Sequence, residues 1–114
     1  MMDLRQLADE TGFQGYCTNA SFFIRESDYK IFIEHCRTQR VMIVGVEGFH
    51  VCDRGIMPDT SAIADFSSLI TWPWEKALPQ SHVEAEMFFK KISAGEARVF
   101  DVSLMNETEF YGTT

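Results

Sequence analysis

The chain has 114 residues, 46% hydrophobic and 13% aromatic, a length that fits one domain and a composition within the globular range that argues against disorder. Ten Lys plus Arg against seventeen Asp plus Glu leave a formal charge of -7, which disfavours phosphate backbones and anionic lipids and favours basic partners. Cys17, Cys36 and Cys52 are an odd number without C-x-x-C spacing, which favours reduced thiols in a reducing compartment over a disulfide framework or a zinc site.

The opening residues, MMDLRQLADETGF, are acidic early and have no continuous apolar stretch, so they are not expected to be a secretory signal. No later run approaches the roughly 18 apolar residues of a membrane span, and the expected location is the cytoplasm. Asp3 caps a predicted short helix with Leu4, Leu7 and Ala8 on its apolar side, and Gly12 stops it. FQGYCTNASFFI then reads as an irregular link that still gives Phe22, Phe23 and Ile24 to the core.

From Ser27 to Gln39 the spacing of Tyr29, Phe32, Ile33 and Cys36 predicts an amphipathic helix, with Arg37 and Arg40 suiting its negative end. VMIVGV is a β-branched apolar run expected as a strand covered on both faces, and FHV either continues it or returns as a hairpin arm. Gly45 and Gly48 leave room for a bulge or a close backbone approach, and Asp53-Arg54-Gly55 reads as a turn. SAIADFSSLI fits helical spacing in part, but its Ser and β-branched residues favour a strand at its centre.

Trp72-Pro73-Trp74 predicts an extended joint, because proline restricts itself and the residue before it. Ser81-His82-Val83-Glu84 has the form of a capping box; a long helix is expected from there, with Ala85, Phe88, Phe89 and Ile92 on one face and Gly95 as its stop. ARVFDVSLM alternates with Phe100, Val102 and Leu104 inward, a half-buried strand, and NETEFYGTT is expected to be a polar tail with one aromatic pair. The predicted fold is α+β: a small sheet of three to five strands packed with two or three helices in a single domain, residues 1–114.

Catalytic signatures are sparse. His50-x-Cys52-Asp53 has no second ligand pair at a recognised spacing, so no metal and no cofactor are expected. Neither G-x-S-x-G, H-E-x-x-H, a P-loop nor a dinucleotide glycine pattern occurs. No direct nucleic-acid binding is expected either, since Lys90-Lys91 stands alone. The expected site is a binding face in which Trp72 and Trp74 act as aromatic anchors, with an acidic rim of Asp53, Asp59, Asp65, Glu75, Glu84 and Glu86. Two alternatives stay open: a small enzyme with a Cys-His or carboxylate site around His50, Cys52 and Asp53, and a regulatory module for a small ligand.

VMIVGVEGFHV, a turn, IMPDTSAIADFSSL, a capped helix and RVFDVSLM together resemble small cytoplasmic immunity proteins of bacterial polymorphic toxin systems, including contact-dependent growth inhibition. The likeness covers roughly Val41 to Leu104 and rests on the apolar strands, an EGF junction and a PD...ADFS segment. It implies a non-enzymatic protein that binds a cognate toxin domain, often a nuclease, one to one and blocks its active site or an essential surface. Immunity proteins differ widely in their binding surfaces, so the likeness transfers no site residue.

Overall fold

The computed structural model describes residues 2–18, 21–92 and 98–112. Helix α1, Leu4–Thr11, begins where the Asp3 carboxylate accepts the Gln6 N–H at 2.7 Å and ends at Gly12, whose φ of 73° only glycine adopts without strain. Strands β1, Tyr16–Cys17, and β2, Phe22–Arg25, follow, and a single 3-10 turn leads into α2, Tyr29–Thr38. Tyr29, Phe32, Ile33 and Cys36 are the buried residues of α2, as their spacing predicts.

Met42–Cys52 forms one continuous strand, β3, so FHV extends VMIVGV. The chain turns at Asp53-Arg54 and returns as β4, Gly55–Asp65, with Gly55 at a φ of 117°. The hairpin is interrupted where Gly48 faces Asp59 and Glu47 faces Ile63, so that three residues of β4 bulge out of register. Gly48 is required there: a Cβ on it would sit 2.6 Å from that of Ala62. Ser61 to Asp65 are thus strand, and the rest of SAIADFSSLI becomes a 3-10 turn over Ser67–Thr71.

The long helix, α3, spans Trp74–Ile92 and starts seven residues before Ser81. The Pro73 carbonyl receives the N–H groups of Lys76 and Ala77 at 2.9 and 2.8 Å, so the predicted extended joint is confined to Trp72 and Pro73. Pro79 lies inside the first turns, an interior proline that local propensity argues against. Burial overrides it, because Trp74, Ala77 and Leu78 pack against Met42, Val44 and Met105. Ser81 therefore caps nothing; its hydroxyl donates to the Leu78 carbonyl and accepts the Ile43 N–H, fastening α3 to β3. Gly95, the expected stop, lies outside the described residues.

After β5, Arg98–Met105, the expected polar tail is instead a short helix, α4, Glu107–Gly112. Asn106 and Glu109 cap it reciprocally: Asn106 Oδ1 accepts the Glu109 N–H at 2.8 Å, and a Glu109 carboxylate oxygen accepts the Asn106 N–H at 2.9 Å. The described residues thus hold four α-helices, where two or three were expected. The fold class stands as read, an α+β domain on one antiparallel sheet of order β1-β2-β5-β3-β4.

Strand alternation, reset in β3 by an irregularity between Ile43 and Gly45, divides the core in two. Ile43, Val46, Phe100, Val102 and Leu104 pack with α1, α2 and the second half of α3. Their neighbours along the chain point to the opposite face: Met42, paired with Met105, and then Val44 pack with Leu69, Trp74 and Phe110. The second core covers only one end of that face. Its middle is bare.

Candidate protein-binding surface

On the bare face the register sets side chains in rows. Glu47 of β3 lies between Ile63 of β4 and Asp101 of β5, and two residues along, Gly45 lies between Asp65 and Ser103. These two rows hold three carboxylates and no Lys or Arg, and all three carboxylates are exposed. A shallow groove of about 300 Å³ runs between them, with Ile63 as an exposed apolar wall.

Glu47 and Asp101 face each other directly, a like-charge pair that weakens a sheet. Asp101 is held above the ordinary carboxylate pKa by desolvation, offset in part by a hydrogen bond from its neighbour's backbone N–H. Asp101 also lines a second hollow of about 200 Å³ at the start of α1 with Asp3, Arg5 and Phe22, where a basic side chain joins the two acids.

A different surface lies where α3 begins. Ile70, Trp72, Trp74, Glu75, Phe110 and Tyr111 border a cleft of about 520 Å³. Trp72 is 44% exposed and Tyr111 56%, whereas Trp74 is 2% exposed, with its ring centroid 5.1 Å from that of Phe110. The two tryptophans astride Pro73 have therefore separated into one surface ring and one core ring. The indole N–H of Trp74 is buried without a hydrogen-bond partner among the described residues.

The predicted acidic rim is not one surface. Asp53 is exposed in the turn of the β3–β4 hairpin, and Asp65 belongs to the bare sheet face, where it also accepts the Ser67 N–H at 2.9 Å. Glu75 is exposed and pairs with Arg40 at 2.6 Å, while Glu84 is half-buried on α3. Glu86 pairs with Arg37 at 3.4 Å and Lys90 at 3.3 Å; the Lys90 ammonium contributes most to holding its carboxyl below the ordinary range.

Asp59 is buried and committed to internal contacts. Its carboxylate accepts the Ser61 hydroxyl at 2.6 Å, the Ser61 N–H at 3.1 Å and Arg98 Nε at 2.8 Å, and lies 3.0 Å from His50 Nε2. The Ser61 hydroxyl is the largest cause of its lowered pKa; the Ser61 N–H, Arg98 and His50 add to it against desolvation. Arg98 also reaches Glu26 and the Ile92 carbonyl, so this network locks β4, β5 and the end of α3 together. Asp59 and Trp74 are thus internal supports, apart from the exposed acids and Trp72.

The groups weighed for chemistry are spread similarly. Cys52 donates its thiol to the Gly55 carbonyl at the hairpin tip, whereas His50 turns to Asp59. Ser61 donates to Asp59, the acid, where activation of a nucleophile needs donation to the imidazole. Burial pushes the Cys36 thiol pKa up and lowers that of His82, whose Nε2 donates to the Val41 carbonyl at 2.7 Å. Among the described residues no group of three or more His, Cys, Asp or Glu is placed to hold a metal ion, and no helix is long and apolar enough to cross a membrane.

Glu47, Asp101 and Tyr111 are the surface residues that sequence reasoning missed. Asp101 was within reach: if Phe100, Val102 and Leu104 point inward, Asp101 and Ser103 share the other face. Tyr111 had a weaker signal, the Asn106-x-x-Glu109 box that makes its segment helical. No protein-family model, curated protein or solved structure matches this chain.

Proposed function

We propose that this protein is an immunity protein, a non-enzymatic inhibitor that binds a basic toxin domain, a nuclease, in the bacterial cytoplasm and neutralises it one to one. The observation that carries the reading is the bare sheet face: Glu47, Asp65 and Asp101 stand together without a basic residue in their rows. A facing pair of acids disfavours the isolated fold, and a cationic partner would relieve that repulsion. The sequence resemblance over Val41 to Leu104 supplies the biological role, and the charge of -7 suits a toxin whose substrate is a polyanion.

In this reading the acidic groove takes the place of a nucleic-acid backbone in the toxin's basic cleft. Long-range attraction accelerates encounter, and apolar contacts at Ile63 slow dissociation. Expression of the gene immediately upstream, with and without this protein, tests the role. The upstream product is expected to be lethal alone and harmless in co-expression; a harmless product, or lethality that persists, refutes it. Substituting Glu47→Lys together with Asp101→Lys should slow association about tenfold or more and flatten its salt dependence. Unchanged association rates would remove this face from the interface.

A further inference from the structure

We infer that the aromatic cleft at the start of α3 is a receptor for an arginine side chain of the partner protein. Four aromatic residues converge there: Trp72 and Tyr111 largely exposed at the mouth, Trp74 and Phe110 buried behind them. A wall of aromatic rings attracts a cation through their electron-rich faces, and guanidinium does this better than ammonium because its flat, weakly hydrated plane stacks on the ring. Glu75 puts a carboxylate on the same lip. An apolar aromatic side chain would fill such a cleft by area alone and leave that carboxylate without a role.

Arg40 tests the logic from within the chain. It already pairs with Glu75 at 2.6 Å, so a guanidinium is the group that this carboxylate holds in the free protein. Both partners are more than half exposed, 51% for Arg40 and 72% for Glu75, and an ion pair in that setting is weak. An incoming arginine can therefore exchange with Arg40 and gains the aromatic wall in addition. Charge complementarity names the occupant, since the chain carries -7 overall and the charged residue among those that border the cleft is Glu75.

The inference rests on the reading of a basic protein partner, yet its test needs no partner. Trp72 and Trp74 are the chain's two tryptophans and both border the cleft, so intrinsic fluorescence reports on it. N-acetyl-arginine amide is titrated into the protein, with N-acetyl-citrulline amide as the neutral isostere and tetramethylammonium as a free quaternary amine. Arginine is expected to give a saturable change and citrulline none.

Tyr111→Ala and Trp72→Ala should each weaken arginine binding about fivefold or more, the order of one cation–π contact. Glu75→Gln should weaken it, and Arg40→Ala should tighten it by removing the competitor. Tyr111 and Trp72 lie at the mouth, and near-UV circular dichroism checks that each variant keeps its core. Equal binding of citrulline, tighter binding of tetramethylammonium, no response to arginine, or weaker binding by Arg40→Ala each overturns the inference. Failure of toxin neutralisation would leave this titration unchanged, so the two readings fall separately.

Discussion

Replacing Trp74 by alanine and by phenylalanine separates the packing of that ring from its polar edge. Trp74 is 2% exposed and packs with Met42, Leu69, Leu78, Met105 and Phe110, so Trp74→Ala should cost about 3–5 kcal/mol as a large-to-small core change. Trp74→Phe keeps one ring against Phe110. It gives up roughly 50 Å² of buried surface, about 1.3 kcal/mol at the usual apolar coefficient. The same change removes a buried N–H that has no partner among the described residues, returning about 1–3 kcal/mol. The phenylalanine variant should therefore lie between about 0.3 kcal/mol less stable and about 1.7 kcal/mol more stable than the parent. Trp72→Ala, at a ring 44% exposed, should lose no more than about 2 kcal/mol. Urea unfolding followed by far-UV circular dichroism measures all three without relying on tryptophan emission. A phenylalanine variant as unstable as the alanine variant would refute the claim of an unpartnered N–H, and a Trp72→Ala loss equal to that of Trp74→Ala would refute the division into surface and core rings.

Gly48→Ala forces a methyl against Ala62 and Phe100, and its unfolding midpoint should fall by the equivalent of about 1–3 kcal/mol; an unchanged midpoint would mean that the bulge yields freely. Asp101 has a raised pKa, so ionising it disfavours the fold as pH rises through its folded value. Asp101→Asn should consequently stabilise the protein at neutral pH and lose that advantage in acid, and a variant less stable than the parent at pH 7 would contradict the desolvation argument. Asp59 has the opposite sign. Its pKa is lowered by folding, so its contribution is present above the ordinary carboxylate pKa and is lost as pH falls through the folded value. Asp59→Asn should be less stable than the parent at pH 7, and the two unfolding curves should converge below that window; a gap that persists in strong acid would point to packing in place of charge.

The sequence showed most of the fold wherever a single periodicity ruled. The buried residues of α1 and α2, the Gly12 stop and the inward residues of β5 follow from caps and alternation alone. Two elements escaped for a physical reason. The start of α3 depends on Trp74 finding Met42, Met105 and Phe110, contacts between distant segments that make an interior Pro79 tolerable. Ser81-x-x-Glu84 carried a sound local signal, but the hydroxyl was drawn to Ile43 on β3. For the candidate site, composition gave the charge but not its distribution. Asp59 and Asp65 are six residues apart on one strand, yet the bulge sends the first into the Arg98 network and leaves the second on the bare face. Nothing in the residues near either acid distinguishes them before β3 and β5 are in place.

The bulge has one more effect, on what β4 refuses. As an 11-residue strand at the rim of the sheet, β4 would be an open template for edge-to-edge aggregation if it ran straight. An approaching strand instead meets two short segments out of phase, Gly55–Asp59 and Ile63–Asp65, with Pro58 lacking an N–H and the Ser61 N–H already turned to Asp59. The irregularity that buries Asp59 thus also breaks up the margin along which a further strand would pair, beside the exposed side chains of Met57 and Ile63.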